Sequence, residues 1–429
     1  MIRGRRWLVA AALAVMCAVY LLVFRLEALA PLGPLRNLAA TLLASGPFAL
    51  AIWASQEDGD PGLPLLLLGT ALLHLCVPLA LLSGTDDAFR YLWDGRVLDH
   101  GINPYAHPPQ SAALAALRET HFHPHIFRPD MRTVYPPLCE LWFWVAYRLS
   151  STSFVGLKIV LLIHQLAAAW ILARLVASSH EGSALIYAWS PLAVVQLMAG
   201  GHLDGLMIPW LLLSLLLADR RPFWSGAALG GAAMVRPTAV LCAPALLARR
   251  PWRQAGVAAL GGAVAVAGLL LPFARAGAGL YESLLAYARH WRFNGSLYRL
   301  VELLVGQGAG ARIAAYGLIG AASLGGAWLG LGLPARFLIA VGAYLALAPT
   351  VYPWYMLPAA AVGALFGGPL AVLLPALASV SDLVYVERLA TGEWQVPTLA
   401  LVVEYGAIYA LLIFELARRR LASGGAPRP

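Results

Sequence analysis

Apolar runs follow one another along almost the whole chain, and many reach the roughly 17–25 residues a helix needs to cross a bilayer. Three early runs, near residues 7–24, 37–54 and 63–82, would carry the chain out, back and out again. Residues 84 to about 136 interrupt the pattern, being rich in Asp, Arg, His and Pro and holding no run able to span. The next stretch, Leu138 to Leu149, is short and full of Trp and Tyr, which predicts an interfacial or partly inserted helix. Spans near 155–176, 184–199 and 205–218 then bring Arg220 and Arg221 to the cytoplasm, as the positive-inside rule prefers.

Between Arg221 and the next basic cluster, Arg249, Arg250 and Arg253, there is too little chain for two ordinary spans, yet both clusters favour the cytoplasm. A re-entrant hairpin over 222–249, broken at Arg236-Pro237, satisfies both, because Pro237 lacks the amide hydrogen of a continuous helix. A span near 255–273 exits, and residues 275–311 form a second outer loop with a helical piece from Ser296 to Val305. Spans near 313–333, 337–350, 355–366, 369–386 and 398–416 return Arg418-Arg419-Arg420 to the inside. The expectation is an all-α polytopic membrane protein of about 12 crossings, forming one membrane domain over 1–429 with both termini cytoplasmic.

Composition sharpens this picture. Of 429 residues, 60% are hydrophobic and only 12% charged, about half the charged fraction of a soluble domain. Arg3, Arg5 and Arg6 followed by apolar residues to Phe24 have the layout of a signal peptide, with Ala28-Leu29-Ala30 as a cleavage site. Their apolar core is longer than a signal requires, so a retained first span is expected. Ser423 to Pro429, rich in Gly and Pro, reads as a disordered tail. Cys17, Cys76, Cys139 and Cys242 are dispersed and read as packing residues. Lys158 is the sole lysine, so arginine carries almost all of the +9 charge, which suits an anionic lipid or substrate. No nucleic-acid partner is expected.

Chemistry concentrates at the outer ends of the spans. Asp86 and Asp87, with Arg90 three and four residues on, form a compact site for an anionic substrate and a base, since paired acids raise each other's pKa. The plainer reading is a helix start with Thr85 as N-cap. His121, His123 and His125 could hold a metal, but Pro124 restricts them and no further ligand completes a set, so exposed loop histidines are expected and no metal site is assigned. Arg90, Arg96, Arg118, Arg128 and Arg132, with Arg289, Arg292 and Arg299, could clamp a phosphate. Tyr135-Pro136-Pro137-Leu138, Gly201-His202-Leu203-Asp204-Gly205, Trp291 to Tyr298 and Tyr352-Pro353-Trp354-Tyr355 would converge on the same side. Aromatic belts account for Tyr and Trp there, but not for His202 and Asp204 between two apolar runs. Arg236 at membrane depth needs an acidic partner or a phosphate.

With these motifs the sequence resembles the GT-C superfamily of polytopic glycosyltransferases, especially the polyprenol-phosphate-mannose-dependent mannosyltransferases of glycosyltransferase family 87. The resemblance rests on Asp86-Asp87, Arg90-Tyr91, Trp93-Asp94-Gly95, Gly101-x-Asn103-Pro104-Tyr105 and Tyr135-Pro136-Pro137-Leu138, then on Trp291-x-Phe293-Asn294-Gly295-Ser296 and Tyr352-Pro353-Trp354-Tyr355. A looser likeness exists to the eukaryotic enzyme adding the first mannose of the membrane-anchor glycolipid, whose two acids are separated by one residue instead of adjacent. The resemblance implies a GT-C helical bundle in a bacterial inner membrane, with an inverting transfer from a polyprenyl-phosphate sugar to a glycan or glycolipid acceptor on the outer face. It implies catalysis by Asp87 or Asp86, and substrate contacts from Arg90, Tyr91, Asp94, Asn103, Tyr105, Tyr135, His202, Asp204, Arg236, Arg292, Asn294, Tyr352 and Trp354. No resident cofactor is assigned, and dependence on a divalent metal stays open. A lipid-linked saccharide flippase or transporter is the alternative, for which charges should line a path through the membrane. A polysaccharide ligase using a diphosphate-linked donor is another.

Overall fold

The computed structural model describes residues 5–26, 33, 35–58, 62–119, 121–176 and 183–424, so Ala28-Leu29-Ala30 and residues 425–429 of the tail lie outside the described residues. Among the described residues all regular elements are helical and no strand forms, apart from an isolated bridge between Phe293 and Thr350. Helices α1 (Arg6–Arg25) and α2 (Leu35–Asp58) pack along each other, while α3 (Leu63–Leu75) stops short of the expected span to residue 82. The chain turns at Val77-Pro78, where proline offers no amide to continue a helix, and runs irregularly to Ser83.

The long polar segment holds α4 (Asp87–Asp99) and two 3-10 turns, Ala112–Leu117 and His123–His125. Next, α5 (Pro137–Leu149) is too short to cross and buries Leu138, Cys139, Phe143 and Ala146, with its face packed against α4 and α6 (Val155–Val176). Two broken segments follow. In the first, α7 (Ala184–Ala188), α8 (Pro191–Val194) and the π turn Val195–Ala199 lead to Gly200-Gly201-His202, after which come the 3-10 turn Leu203–Leu206 and α9 (Ile208–Leu217). The two arms are bent by 116°. Gly201 makes the bend with φ +71°, a conformation that a side chain would resist.

In the second, α10 (Pro222–Ala233) gives way at Met234-Val235-Arg236 to the 3-10 turn Pro237–Cys242 and α11 (Ala243–Leu247), with the break falling at Arg236-Pro237. Helix α12 (Trp252–Leu270) lies close against α10 because glycines remove the side chains between them. A Cβ at Gly226 would stand 1.8 Å from the Ala258 carbonyl oxygen, and one at Gly261 1.9 Å from that of Phe223. The remaining helices are α13 (Gly279–His290), α14 (Leu297–Val305), α15 (Ala309–Trp328), α16 (Leu333–Leu347), α17 (Leu357–Gly363), α18 (Pro369–Ala378), α19 (Val384–Thr391) and α20 (Thr398–Gly424).

Six described helices are long and apolar enough to cross a membrane, or up to seven if the bent pair is one span. The other crossings expected from the sequence fall on the shorter apolar helices Leu63–Leu75 and Leu333–Leu347, on broken ones, or on α15, while the short apolar helix Pro237–Leu247 lies in the segment expected to be re-entrant. Proline and glycine cut these runs into pieces, and buried surroundings supply the hydrogen bonds that lipid cannot. One core runs through the bundle, centred on α6 to α9, where Tyr187, Trp189, Leu192, Leu197, Leu206 and Leu212 are fully enclosed.

At one end of the bundle Arg250 donates from Nε to the Leu246 carbonyl at 2.6 Å and from Nη1 to the Ala218 carbonyl at 2.6 Å, with Asp219 at 3.5 Å. The ends of α9 and α11 therefore sit together, and the basic clusters around Arg221 and Arg250 share one side. On the positive-inside rule that side is the one expected to face the cytoplasm. Single cysteines at Arg221 and Arg250 are expected to react with an impermeant thiol reagent only after the cells are opened; reaction of either in intact cells contradicts this orientation.

Candidate active site

Two pieces of chain converge at the ends of the broken segments. The first is the approach to the acids. Its carbonyls are pinned one after another: Asn37 Nδ2 donates to Ser83 O at 3.0 Å, and the Tyr385 hydroxyl donates to Gly84 O. Ser83 N donates to Ala199 O at 2.9 Å, which joins this segment to the π turn. Thr85 Oγ1 accepts from Asp87 N at 3.0 Å, but Asp86 and not Thr85 is the N-cap residue of α4, so the acidic pair itself forms the helix start. Asp86 is exposed at the mouth, with the Arg388 charge acting on it; Asp87 is half-buried.

The second piece is the bend at Gly200–Asp204. Asp204 is almost fully buried and accepts from Arg236 Nε at 2.7 Å, so the two broken segments are joined by an ion pair. The Arg236 guanidinium lies over the Tyr355 ring at 4.1 Å, and the Tyr355 hydroxyl meets that of Tyr287 at 2.6 Å. Asp204, Met207, Arg236, Ala239, Tyr344 and Tyr355 line a narrow pocket here. His202 stacks on Trp354 with ring centres 3.5 Å apart, Trp354 on Tyr352 at 4.6 Å, and Tyr352 on Phe293 at 4.3 Å. Phe293 is fixed in turn by backbone bonds to Pro349 and Val351.

Three observations give this region chemical capacity. Asp204 Oδ2 and His202 Nδ1 are buried with no hydrogen-bond partner, a costly state unless water or a ligand satisfies them. Arg236 engages Asp204 through Nε and lines the pocket, leaving its outer guanidinium edge for an anion. Enclosure by protein, then the adjacent Asp86 and the more distant Asp204, push the Asp87 carboxyl up to about 7, against the pull of Arg236. A carboxylate tuned to that range is suited to accept a proton near neutrality.

The other candidate residues lie around this centre in different settings. Tyr91 and Tyr135 stand behind the acids, their rings 5.0 Å apart and within electrostatic reach of Asp87. Arg90 and Asp94 pair with each other: Nε donates to both carboxylate oxygens at 2.9 and 2.8 Å, Nη1 donates to Met131 O at 3.0 Å, and Nη2 is buried without a partner. Glu140 is buried beside them and accepts from Thr133 Oγ1 at 2.6 Å, and burial pushes both the Asp94 and the Glu140 carboxyls up. Asn103 donates to Phe273 O at 3.1 Å and the Tyr105 ring meets the Phe273 ring edge-on at 5.4 Å, so this pair ties the first loop to the start of the second, while the Tyr105 hydroxyl donates to Tyr135 O at 2.5 Å within the first loop. Arg292 pairs with Glu302 at 2.6 Å, and Asn294, at φ +52°, donates to Glu404 at 3.1 Å. His123 and His125 rest on Trp93 and Phe89, and no group of three or more metal-ligating side chains stands together among the described residues.

Structure adds residues that motif reading passed over. Tyr287, Tyr385, Arg388 and Trp394 border the same mouth, with Arg388 over the Trp394 ring at 5.3 Å and Tyr385 against its edge at 5.1 Å. Asp382, Tyr385 and Arg388 recur every third residue in an apolar stretch, a spacing that sets them on one helix face.

Residues 65–250 match the N-terminal domain of the alpha-(1->6)-mannopyranosyltransferase family. This stretch holds the acidic pair, the bend at Asp204 and the break at Arg236, and the match agrees with the resemblance carried by the motifs from 84 onward. No curated protein matches the chain. Among solved structures, ArnT from Cupriavidus metallidurans bound to undecaprenyl phosphate is similar at 12% identity, over 83% of this chain and 72% of that one, with a TM-score of 0.47.

Removing one partner of the Arg236–Asp204 pair strands a buried charge. With 21% of the Arg236 side chain exposed, the loss from Arg236→Met is expected at the low end for such pairs, about 3 kcal/mol. Thermal unfolding in detergent should show that drop, and Arg236→Met with Asp204→Leu should recover more than half of it. Equal stability of wild type and Arg236→Met would contradict the pairing.

Proposed function

We propose that the protein is an inverting glycosyltransferase that moves a hexose, mannose by its family match, from a polyprenyl-phosphate carrier to a hydroxyl of a glycan or glycolipid acceptor on the outer face of the membrane. The observation that carries this reading is the placing of Asp87, a carboxylate poised near neutrality, within electrostatic reach of Arg236 and its open guanidinium edge. The match of residues 65–250 to a mannopyranosyltransferase domain supports it.

In this scheme the donor lipid enters sideways from the bilayer and sets its phosphate on Arg236. Asp87 takes the proton of the acceptor hydroxyl as that oxygen attacks the anomeric carbon. The bond from that carbon to the phosphate oxygen breaks with inversion, and its electron pair leaves on the lipid phosphate, whose charge Arg236 offsets. The acidic surroundings also favour positive charge developing on the sugar ring. Asp204 holds the guanidinium so that its free edge faces the phosphate, and His202, Trp354 and Tyr352 wall the sugar side. Asp86, at the mouth beside Arg388, orients the acceptor and keeps the pKa of Asp87 high.

Asp87→Asn is expected to lower transfer from a radiolabelled polyprenyl-phosphate sugar by about 10²–10⁴ while donor binding persists. Because the deprotonated form is the base, kcat/KM of the wild type should fall as pH drops through about 7. Asp86→Asn should move that inflection to lower pH, since one of the raising charges is gone. Near-normal turnover by Asp87→Asn, or a flat profile between pH 5 and 8, would sink the assignment.

A further inference from the structure

The chain contains a single lysine, Lys158, and it is wholly buried. It lies in the first turns of α6, next to the site but absent from its lining. Its ammonium donates to the Leu81 carbonyl at 3.1 Å and to the Met198 carbonyl, and no carboxylate pairs with it among the described residues. A buried ammonium held only by carbonyls is a costly choice, because two neutral acceptors return less than the lost hydration. Methionine would fill the same space without that cost. Arginine, used at every other cationic position of this chain, presents a wide planar fork, whereas the ammonium is a compact group with three donors that fits between two backbones.

The position of the two carbonyls shows what this group joins. Leu81 is in the irregular stretch that leads to Asp86 and Asp87; Met198 is in the π turn that leads to His202 and Asp204. The stretches touch otherwise through the bond from Ser83 N to Ala199 O. Both are non-helical or distorted backbone, where hydrogen bonds within the segment do not set the geometry. Resting on the glycosyltransferase reading, we propose that Lys158 is a positioning residue that staples these two stretches together and so fixes the distance between the base Asp87 and the Asp204–Arg236 edge that receives the phosphate.

Lys158→Met tests this in the full-length protein. In the wild type, amide hydrogen exchange over residues 79–87 and 195–204 should be slow, and in the variant it should rise in both stretches together. A displacement of about 1 Å between reacting groups can cost 10²-fold, so kcat should fall by about that factor, while the affinity for the polyprenyl-phosphate sugar and for polyprenyl phosphate alone stays within about twofold. Wild-type kcat in the variant overturns the proposal. So does a loss of kcat with unchanged exchange, or a loss of donor affinity in step with kcat, because each places the effect somewhere other than the gap between the two stretches. Should Lys158→Met not insert stably, Lys158→Gln keeps a neutral donor for one carbonyl and is held to the same outcomes, with a smaller loss of kcat expected. The exchange measurement does not depend on turnover. If the wild type transfers no sugar at all but exchange rises as described, the staple stands and the glycosyltransferase reading fails.

Discussion

The site depends on one buried ion pair, Arg236 with Asp204. Each partner sits where a helical run is interrupted, and an interruption at membrane depth exposes backbone groups that lipid cannot satisfy. Neither break is tolerable alone. Joined by a charged hydrogen bond and covered by Tyr355, they become a shared wall of a pocket instead of two defects. The same bond fixes the guanidinium by one edge, so the remaining edge is held ready without the entropy loss of ordering a free arginine.

The rest of the electrostatic arrangement follows from that anchor. Asp87 feels a cation that holds its pKa down, and burial, Asp86 and Asp204 that push it up; the second group prevails, which leaves a carboxyl that titrates near neutral pH instead of a permanently charged carboxylate. The other buried charges of the first loop do a different job. Arg90, Asp94 and Glu140 form a buried cluster under the loop, and Asn103, Tyr105 and Arg132 tie that loop to Phe273 and Glu282. These contacts give a long polar segment the fixed shape that a site built on it requires.

Charged residues among apolar runs were the most informative part of the sequence. Asp204 and Arg236 stand out there because an ionisable group at membrane depth needs a partner, and the structure brings them together. Pro237 marked the second break by its missing amide, and the Trp- and Tyr-rich stretch after Pro137 marked a helix too short to cross. Span counting was less informative. Pro78 cuts the run 63–82 and Pro191 the run 184–199, each of which hydropathy alone reads as continuous. Pairing was hidden for a related reason: a motif shows that Arg90, Asp94 and Arg292 are present, but only packing shows that Arg90 pairs with Asp94 and Arg292 with Glu302. Tyr287, Tyr385 and Trp394 escaped because aromatic residues near membrane boundaries are ordinary. Lys158 was visible as the sole lysine, yet nothing local to it names Leu81 or Met198 as its partners.

In the proposed mechanism Arg236, held by Asp204, receives a lipid phosphate beside Asp87. A structure with polyprenyl phosphate bound measures this directly. The expected result is the phosphate on the outer guanidinium edge of Arg236, the Arg236–Asp204 bond intact, and the Asp87 carboxylate facing the space above the phosphate where the sugar would lie. A phosphate bound at Arg292, Arg299 or elsewhere, with none on Arg236, would contradict it.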